Sequence, residues 1–393
     1  MIKFLHTADL HLGKVFHDQG LGEDQAAVLD FLARLLEDES YAALVISGDI
    51  YDRSIPSPDA VELFSSFLGK VKNRHPSPEV IVIPGNHDSD KRIGFGRELF
   101  ARLGIHFGVE TRDCDKPVII ERDGEKCAFF LLPFLNPGAL EGESPDNGKP
   151  LRSQAALAEE AARRMNLARR ELAEQGVGYS VLAAHLFTSG GAEAGSERVF
   201  LGSAEQVSSS LFDGFDYVAL GHLHRCQSVG KNIWYSGSPL AYSFAEAGQE
   251  KFFLSVELKN GGAITEKIPV KPLHKVTSLQ GPFARFSGDI SAATELQAVK
   301  DDYLELRLTD NVITENAREI LRKKFPRLLS LRQDEALAGL AGSFAGSSPS
   351  GDRRDTSADF KLFLSALYEQ PDPEEQELFD TLLAEVEEGE ALL

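Results

Sequence analysis

Five short polar clusters punctuate the chain: Asp9-Leu10-His11, Gly48-Asp49-Ile50-Tyr51-Asp52-Arg53, Gly85-Asn86-His87-Asp88, His185, and Gly221-His222-Leu223-His224. They hold five of the ten histidines and no cysteine. Carboxylate oxygens and imidazole nitrogens without thiolates suit manganese or magnesium, and also admit iron or zinc. Two such ions about 3.5–4 Å apart need at least one bridging carboxylate, and they clamp the attacking and leaving oxygens of a phosphoryl group. In Asp-x-His and His-x-His on an extended chain, positions i and i+2 point to one side, so both reach one centre. One such pair is a weak signal. Five clusters in series are a strong one.

The elements that must position them follow from the apolar runs. Ile2–Leu5, Ala42–Ile46, Val80–Ile83, Phe129–Leu132, Ser180–Ala184, Tyr217–Leu220 and Phe252–Val256 read as buried strands. Glu23–Asp38, Asp59–Val71 and Ser153–Gln175 have helical spacing. Continuous apolar strands separated by helices predict a layered α/β domain over residues 1–265, its sheet covered on both faces. Each cluster directly follows a strand, where α/β sheets carry their sites. Gly48, Gly85 and Gly221 are expected to let the chain turn sharply there.

HTADLHLGK (6–14), SGDIYDR (47–53), PGNHDS (84–89), His185, ALGHLHR (219–225) and YSGSPLAYSF (235–244) together resemble the calcineurin-like metallophosphoesterases. Within these, the chain resembles the break-repair nuclease family. The resemblance implies a metallophosphoesterase β-sandwich flanked by helices, and two divalent ions, manganese first and magnesium as the alternative. Carried onto matching positions, it gives Asp9, His11, Asp49 and His224 to one metal, with Asp49 bridging, and Asn86, His185 and His222 to the second. His87 is then no ligand but stands beside the scissile phosphate, to stabilise the oxyanion or protonate the leaving oxygen. Asp52 is expected to orient His87, and Asp88 either to support the Asn86–His87 turn or merely to cap it.

The same resemblance implies an ATP-dependent 3′–5′ double-strand DNA exonuclease and a single-strand and hairpin endonuclease, serving repair, replication and recombination. ATP would be bound by a coiled-coil ATPase partner, because the chain has no GxxxxGK[ST] loop. A homodimer within a heterotetramer is implied as well. The alternative is a phosphatase or cyclic-nucleotide phosphodiesterase of the same fold, which needs the same metals. A third reading is a scaffold with a vestigial site.

Residues 266–338 read as a small α/β domain, with strands at Val270–Leu273 and Tyr303–Leu308 and a helix at Asn316–Lys324. The resemblance makes this a DNA-capping domain. Between Arg318 and Arg332 six cations face only Glu319, a net of +5, so Arg322, Lys323 and Lys324 are candidate phosphate contacts. His17 and Arg225, beside the clusters, are the other candidates. Residues 339–358 form a Gly/Ser-rich flexible linker. Over 359–393, one apolar stripe (Phe360, Phe363, Leu364, Leu367) and another (Leu378, Phe379, Leu382, Leu383) flank a break at Pro371–Glu375, predicting a helical hairpin. So small a hairpin cannot bury both stripes alone, so a partner surface is expected, and the resemblance implies that this partner is the coiled coil of the ATPase.

The 393 residues are 42% hydrophobic and 26% charged, which describes a folded globular protein and excludes a disordered one. Cys114, Cys127 and Cys226 make no disulfide framework and fit a reducing, cytoplasmic compartment. No apolar run reaches the roughly 18 residues of a membrane span. The formal charge of −20 at first argues against a nucleic-acid binder. Yet eleven carboxylates against Lys361 put −10 on residues 359–393, beyond the linker. The acidity marks a partner-binding segment, and it predicts weak unaided affinity for DNA.

Overall fold

The computed structural model describes residues 1–38, 40–73, 77–140, 151–192, 206–259, 261–289, 293–310 and 316–333. Towards the C-terminus it also describes 357, 358, 360, 361, 364 and 376–383. The chain begins with β1 (Ile2–Thr7), a hairpin of β2 (Val15–Phe16) and β3 (Gln19–Gly20), α1 (Gly22–Leu35) and β4 (Tyr41–Ser47). Next come α2 (Pro58–Lys72), β5 (Glu79–Ile83), α3 (Asp90–Ile93), α4 (Arg97–Ala101) and β6 (Ile105–Phe107). A second stretch holds β7 (Val118–Arg122), β8 (Glu125–Leu132), α5 (Gln154–Glu174), β9 (Tyr179–His185) and β10 (Tyr217–Gly221). It closes with β11 (Gln227–Ser228), β12 (Ile233–Tyr235), β13 (Lys251–Lys259) and β14 (Gly262–Val270).

These strands form two six-stranded sheets, in the orders β14-β13-β1-β4-β5-β6 and β11-β12-β10-β9-β8-β7. The central strands are parallel in both: β1 with β4 and β4 with β5 in one, β8 with β9 and β9 with β10 in the other. Because side chains alternate along a strand, each sheet has two apolar faces. Phe4, Val45 and Ile81 meet Phe129, Val181 and Ala219 between the sheets, where the Phe4 and Phe129 rings touch edge to face at 5.4 Å. The outer face of the first sheet is covered by Leu29 and Leu32 of α1 and by Phe64 and Phe67 of α2. That of the second is covered by Leu157, Ala161 and Met165 of α5. The result is the expected layered α/β sandwich.

β14 pairs with β13 along its whole length, from Lys259↔Gly262 to Lys251↔Val270. The first sheet therefore continues past the predicted boundary at 265, and Val270 ends this strand instead of opening a new one. The signal was weak because β14 is an edge strand with polar, half-exposed residues, and it carries Pro269, which edge strands tolerate.

The small domain follows: β15 (Val276–Gly281), α6 (Phe283–Ser287), α7 (Thr294–Ala298), β16 (Tyr303–Leu308), α8 (Ala317–Arg322) and β17 (Leu328–Gln333). Its three strands are parallel, in the order β15-β16-β17. Its own core holds Phe286, Leu296, Leu304, Leu306, Leu321, Phe325 and Leu328. One buried carboxylate ties it to the sandwich. Asp24 of α1 accepts hydrogen bonds from His274 N (3.0 Å), His274 Nδ1 (3.0 Å) and Tyr303 Oη (2.8 Å).

The linker predicted at 339–358 lies outside the described residues as far as 356, and Ser357 and Ala358 are helical. Of the two C-terminal stripes, Phe363 and Leu367 also lie outside them. Phe360 and Phe379 stack with ring centroids 3.8 Å apart, so the two stripes meet. Leu364 is buried, Leu383 is half-buried, and Leu378 and Leu382 are exposed.

Candidate metal centre

The loops after β1 and β4 are zipped together by main-chain bonds from Asp9 N to Gly48 O (3.0 Å), His11 N to Asp49 O (2.9 Å) and Leu12 N to Ile50 O (2.9 Å). Four polar residues of the site have left-handed backbone: Asp9 (φ 54°), His11 (φ 44°), Asp49 (φ 49°) and His222 (φ 106°). Such conformations cost of order 1–3 kcal/mol each and persist where surrounding bonds impose them. Gly48, at φ 92°, makes the expected sharp turn. Gly221 serves a different need. A Cβ there would stand 1.8 Å from Ser47 O, so glycine permits the two sheets' loops to close on each other.

All seven predicted ligands converge at this junction. Asp9 accepts the His222 N–H at 2.9 and 3.2 Å. Asp49 Oδ1 accepts the His87 N–H at 2.9 Å, leaving Oδ2 at 3.6 Å from both His11 Nε2 and His185 Nε2. His185 Nδ1 donates to Ser47 O at 2.9 Å, which places the lone pair of the neutral ring on Nε2. That Nε2 faces Asn86 Oδ1 at 3.0 Å, and His222 Nδ1 stands 3.1 Å from the same oxygen. Across the site, His11 Nε2 and His224 Nε2 are 3.2 Å apart.

Burial lowers His11 to about 4 and His222 to about 3, and it lowers His185 as well, so the rings are neutral at neutral pH. At His185 Nε2 and Asn86 Oδ1 an acceptor thus faces an acceptor, an arrangement that repels unless a cation lies between them. Candidate ligand atoms of Asp9, His11 and His224, and of Asp9, Asp49 and His185, gather within 4.8 Å in each group. The donor set is oxygen and imidazole, and it fits divalent metal ions.

Around these residues lies a supporting shell that the motifs only partly revealed. His87 Nδ1 donates to the main-chain oxygen of Asp52 at 2.9 Å. Asp52 therefore fixes the His87 ring through its backbone, while its carboxylate receives Lys14 Nζ at 2.7 Å and lies 3.5 Å from His11 Nδ1. Burial would raise that carboxyl, but His11 and Lys14 hold it at about 2. Asp88 does support the turn. Its Oδ2 accepts from Gly85 N and Ile50 N at 3.0 Å, and its Oδ1 from Tyr51 N at 2.9 Å. Gln25 bonds His11 O (2.7 Å), and buried Glu246 lies 3.3 Å from His224 Nδ1 and pairs with Lys251. Neither Gln25 nor Glu246 was legible beforehand, because each sits in a helix or turn outside every cluster. Glu246 lies two residues beyond YSGSPLAYSF.

The remaining candidates spread over the surface. His17 is exposed at the tip of the β2–β3 hairpin, its ring 5.3 Å from that of Phe244, and Arg225 is exposed just after His224. Arg322 and Lys323 are exposed and Lys324 is half-buried. Arg322 donates to Leu328 O at 3.3 Å and Lys324 to Ser287 O and Gly288 O, so both brace their own domain. Arg332 pairs with Glu305 at 3.1 Å, a partner lying outside the 318–332 window. His6, His106 and His274 have ordinary protein partners in Tyr217, Glu79 and Asp24, and His75 lies outside the described residues.

A two-sheet sandwich in which five parallel strands, β1, β4, β5, β9 and β10, end in the carboxylates, imidazoles and amide of one cluster defines a metal-dependent phosphoesterase. The family model for calcineurin-like phosphoesterases matches residues 2–226. The SbcD subunit of nuclease SbcCD from Staphylococcus saprophyticus is 32% identical over 332 residues, covering 84% of each chain. The chain belongs to the calcineurin-like phosphoesterases, and within them to the family of that nuclease subunit. Among solved structures, TT1561 of Thermus thermophilus is 14% identical, with a TM-score of 0.38 over 68% of this chain and 98% of its own. NAD nucleotidase of Haemophilus influenzae is 16% identical, with a TM-score of 0.36 over 88% of this chain and 66% of its own.

Among the described residues, no helix is long and apolar enough to cross a membrane.

Proposed function

We propose that the chain is the nuclease subunit of an SbcCD-type complex, hydrolysing DNA phosphodiester bonds with two divalent metal ions, manganese before magnesium. The observation that carries this reading is the position of Asp49 Oδ2, 3.6 Å from a histidine of each half of the cluster, where one carboxylate oxygen can serve both ions. Asp9, His11, Asp49 and His224 would hold one ion, and Asp49, Asn86, His185 and His222 the other. Bound there, the pair supplies Lewis acidity to the phosphate and to the attacking water.

The protein's own residues do the rest. His87, its Nδ1 held by Asp52 O, acts through Nε2. In its protonated form that nitrogen donates to a phosphate oxygen and passes its proton to the leaving 3′ or 5′ oxygen. The left-handed turns at Asp9, His11 and Asp49 fix the acceptors before substrate arrives, so little reorganisation is needed during the reaction.

The family resemblance supports the finer activities of this reading. They are ATP-dependent 3′–5′ exonuclease on duplex ends and endonuclease on single strands and hairpins, with ATP bound by an SbcC-type coiled-coil ATPase. Residues 359–393 grip that partner, the small domain caps the DNA, and two copies pair within a cytoplasmic heterotetramer. The test is a substrate panel of linear duplex, hairpin and p-nitrophenyl phosphate with manganese, with and without the ATPase. Cleavage of DNA, increased by partner and ATP, is expected. Turnover of the small ester alone would assign a phosphatase, and inertness towards every substrate a scaffold.

A further inference from the structure

Two lysine–carboxylate relays lie behind the two histidines that face each other: Glu246 is hydrogen-bonded to its imidazole, whereas Asp52 only lies close to His11 Nδ1, which makes no hydrogen bond. On one side Lys14 Nζ meets Asp52 Oδ1 at 2.7 Å, and that carboxylate lies 3.5 Å from His11 Nδ1. On the other, Lys251 Nζ meets Glu246 Oε2, and Glu246 Oε1 lies 3.3 Å from His224 Nδ1. Both relays end at imidazole nitrogens that point into the site, His11 Nε2 and His224 Nε2, 3.2 Å apart. The other half of the cluster is built differently. His185 is backed by the neutral carbonyl of Ser47 at 2.9 Å, and His222 turns its Nδ1 towards Asn86.

The Glu246 relay is well enclosed. Glu246 is fully buried, and it accepts from Tyr242 N and Ser243 Oγ, each at 3.3 Å. Lys251 is buried too, and it donates to His224 O and Ser238 Oγ at 3.0 Å. The lysine therefore holds both the carboxylate and the backbone of the histidine which that carboxylate orients.

A carboxylate behind a ligating imidazole fixes its tautomer, aims its lone pair and strengthens it as a donor, whereas a carbonyl adds no charge. We propose that Asp52 and Glu246 are positioning residues that make the two metal subsites unequal, the His11–His224 half binding more tightly and filling first. The inference rests on the cluster being a divalent-metal site and deepens that reading.

Titration of the metal-free, full-length protein with manganese, followed by calorimetry and by the electron paramagnetic resonance of free ion, tests it. Wild type should bind in two resolved steps. Glu246→Gln and Asp52→Asn should each weaken the tighter step by about 10- to 100-fold and leave the weaker one within about threefold. His224→Ala should remove the tighter step, and His185→Ala the weaker one. The Glu246→Gln, Lys251→Met double variant keeps the buried pair neutral, and circular dichroism checks that it is folded. Two equal steps in the wild type, equal weakening of both steps in the variants, or loss of the weaker step in His224→Ala would overturn the inference. Wild type that binds no manganese would instead overturn the metal reading beneath it.

Discussion

His185 Nε2 and Asn86 Oδ1 face each other across 3.0 Å with no proton to share, because the His185 proton is spent on Ser47 O. The same unpaired convergence recurs at Asp49 Oδ2. It marks a place built for cations, and each loop that creates it leaves the end of a different parallel strand.

The catalytic role proposed for His87 should separate from the metal site. His87→Ala is expected to lower phosphodiester cleavage by roughly 100- to 10,000-fold. Manganese affinity should stay at the wild-type value, since His87 only borders the acceptors. Steady-state rates read beside a binding titration check this, and a parallel loss of metal would make His87 a ligand.

Asp24 should hold the small domain. Its carboxylate takes three hydrogen bonds from His274 and Tyr303, so Asp24→Ala should weaken domain docking by about 2 kcal/mol. Limited proteolysis would then cut faster between Val270 and Val276, while hydrolysis of a small phosphodiester is unchanged. An unaltered digestion pattern counts against the tie.

Helix α5 carries a pH-dependent contact. Hydrogen bonds from Arg163, opposed by partial burial and joined by Arg164, hold Glu160 at about 2, below its ordinary 4.5. A depressed carboxyl stabilises the fold above its unfolded value, and the gain is lost as pH falls from about 4.5 to about 2. Glu160→Gln should remove about 1 kcal/mol at neutral pH and flatten stability through that acid window. Urea unfolding across pH measures it, and an unchanged slope would remove the contact from the account.

Leu378 and Leu382 are 62% and 52% exposed on a helix whose neighbour Phe379 is already stacked on Phe360. Leu378→Asp with Leu382→Asp should weaken capture of the coiled-coil ATPase about tenfold or more without altering cleavage of a small ester. Undiminished capture would move the partner surface elsewhere.

The sequence made the centre legible because metal chemistry restricts residue types sharply. Asp9-x-His11 and His222-x-His224 announce themselves, and the apolar runs before them are strands of ordinary length. What stayed hidden depends on long-range packing. Glu246 reaches His224 only after β13 brings its turn beside β1, and Asp24 meets His274 across 250 positions of chain. The role of Asp52 shifted for the same reason. Its place in SGDIYDR suggested the His87 ring, but the strand-end turn gives His87 the main-chain oxygen and the carboxylate to Lys14. The β14 boundary slipped because an edge strand needs no strong apolar alternation.

The count of bound metal ions tests the central claim most directly. Full-length protein equilibrated with manganese and freed of excess should carry two ions per chain by elemental analysis. Asp49→Ala, which removes the oxygen between His11 and His185, should carry fewer than one. A wild-type chain holding no stoichiometric metal, or an Asp49→Ala chain that keeps both ions, would contradict the account.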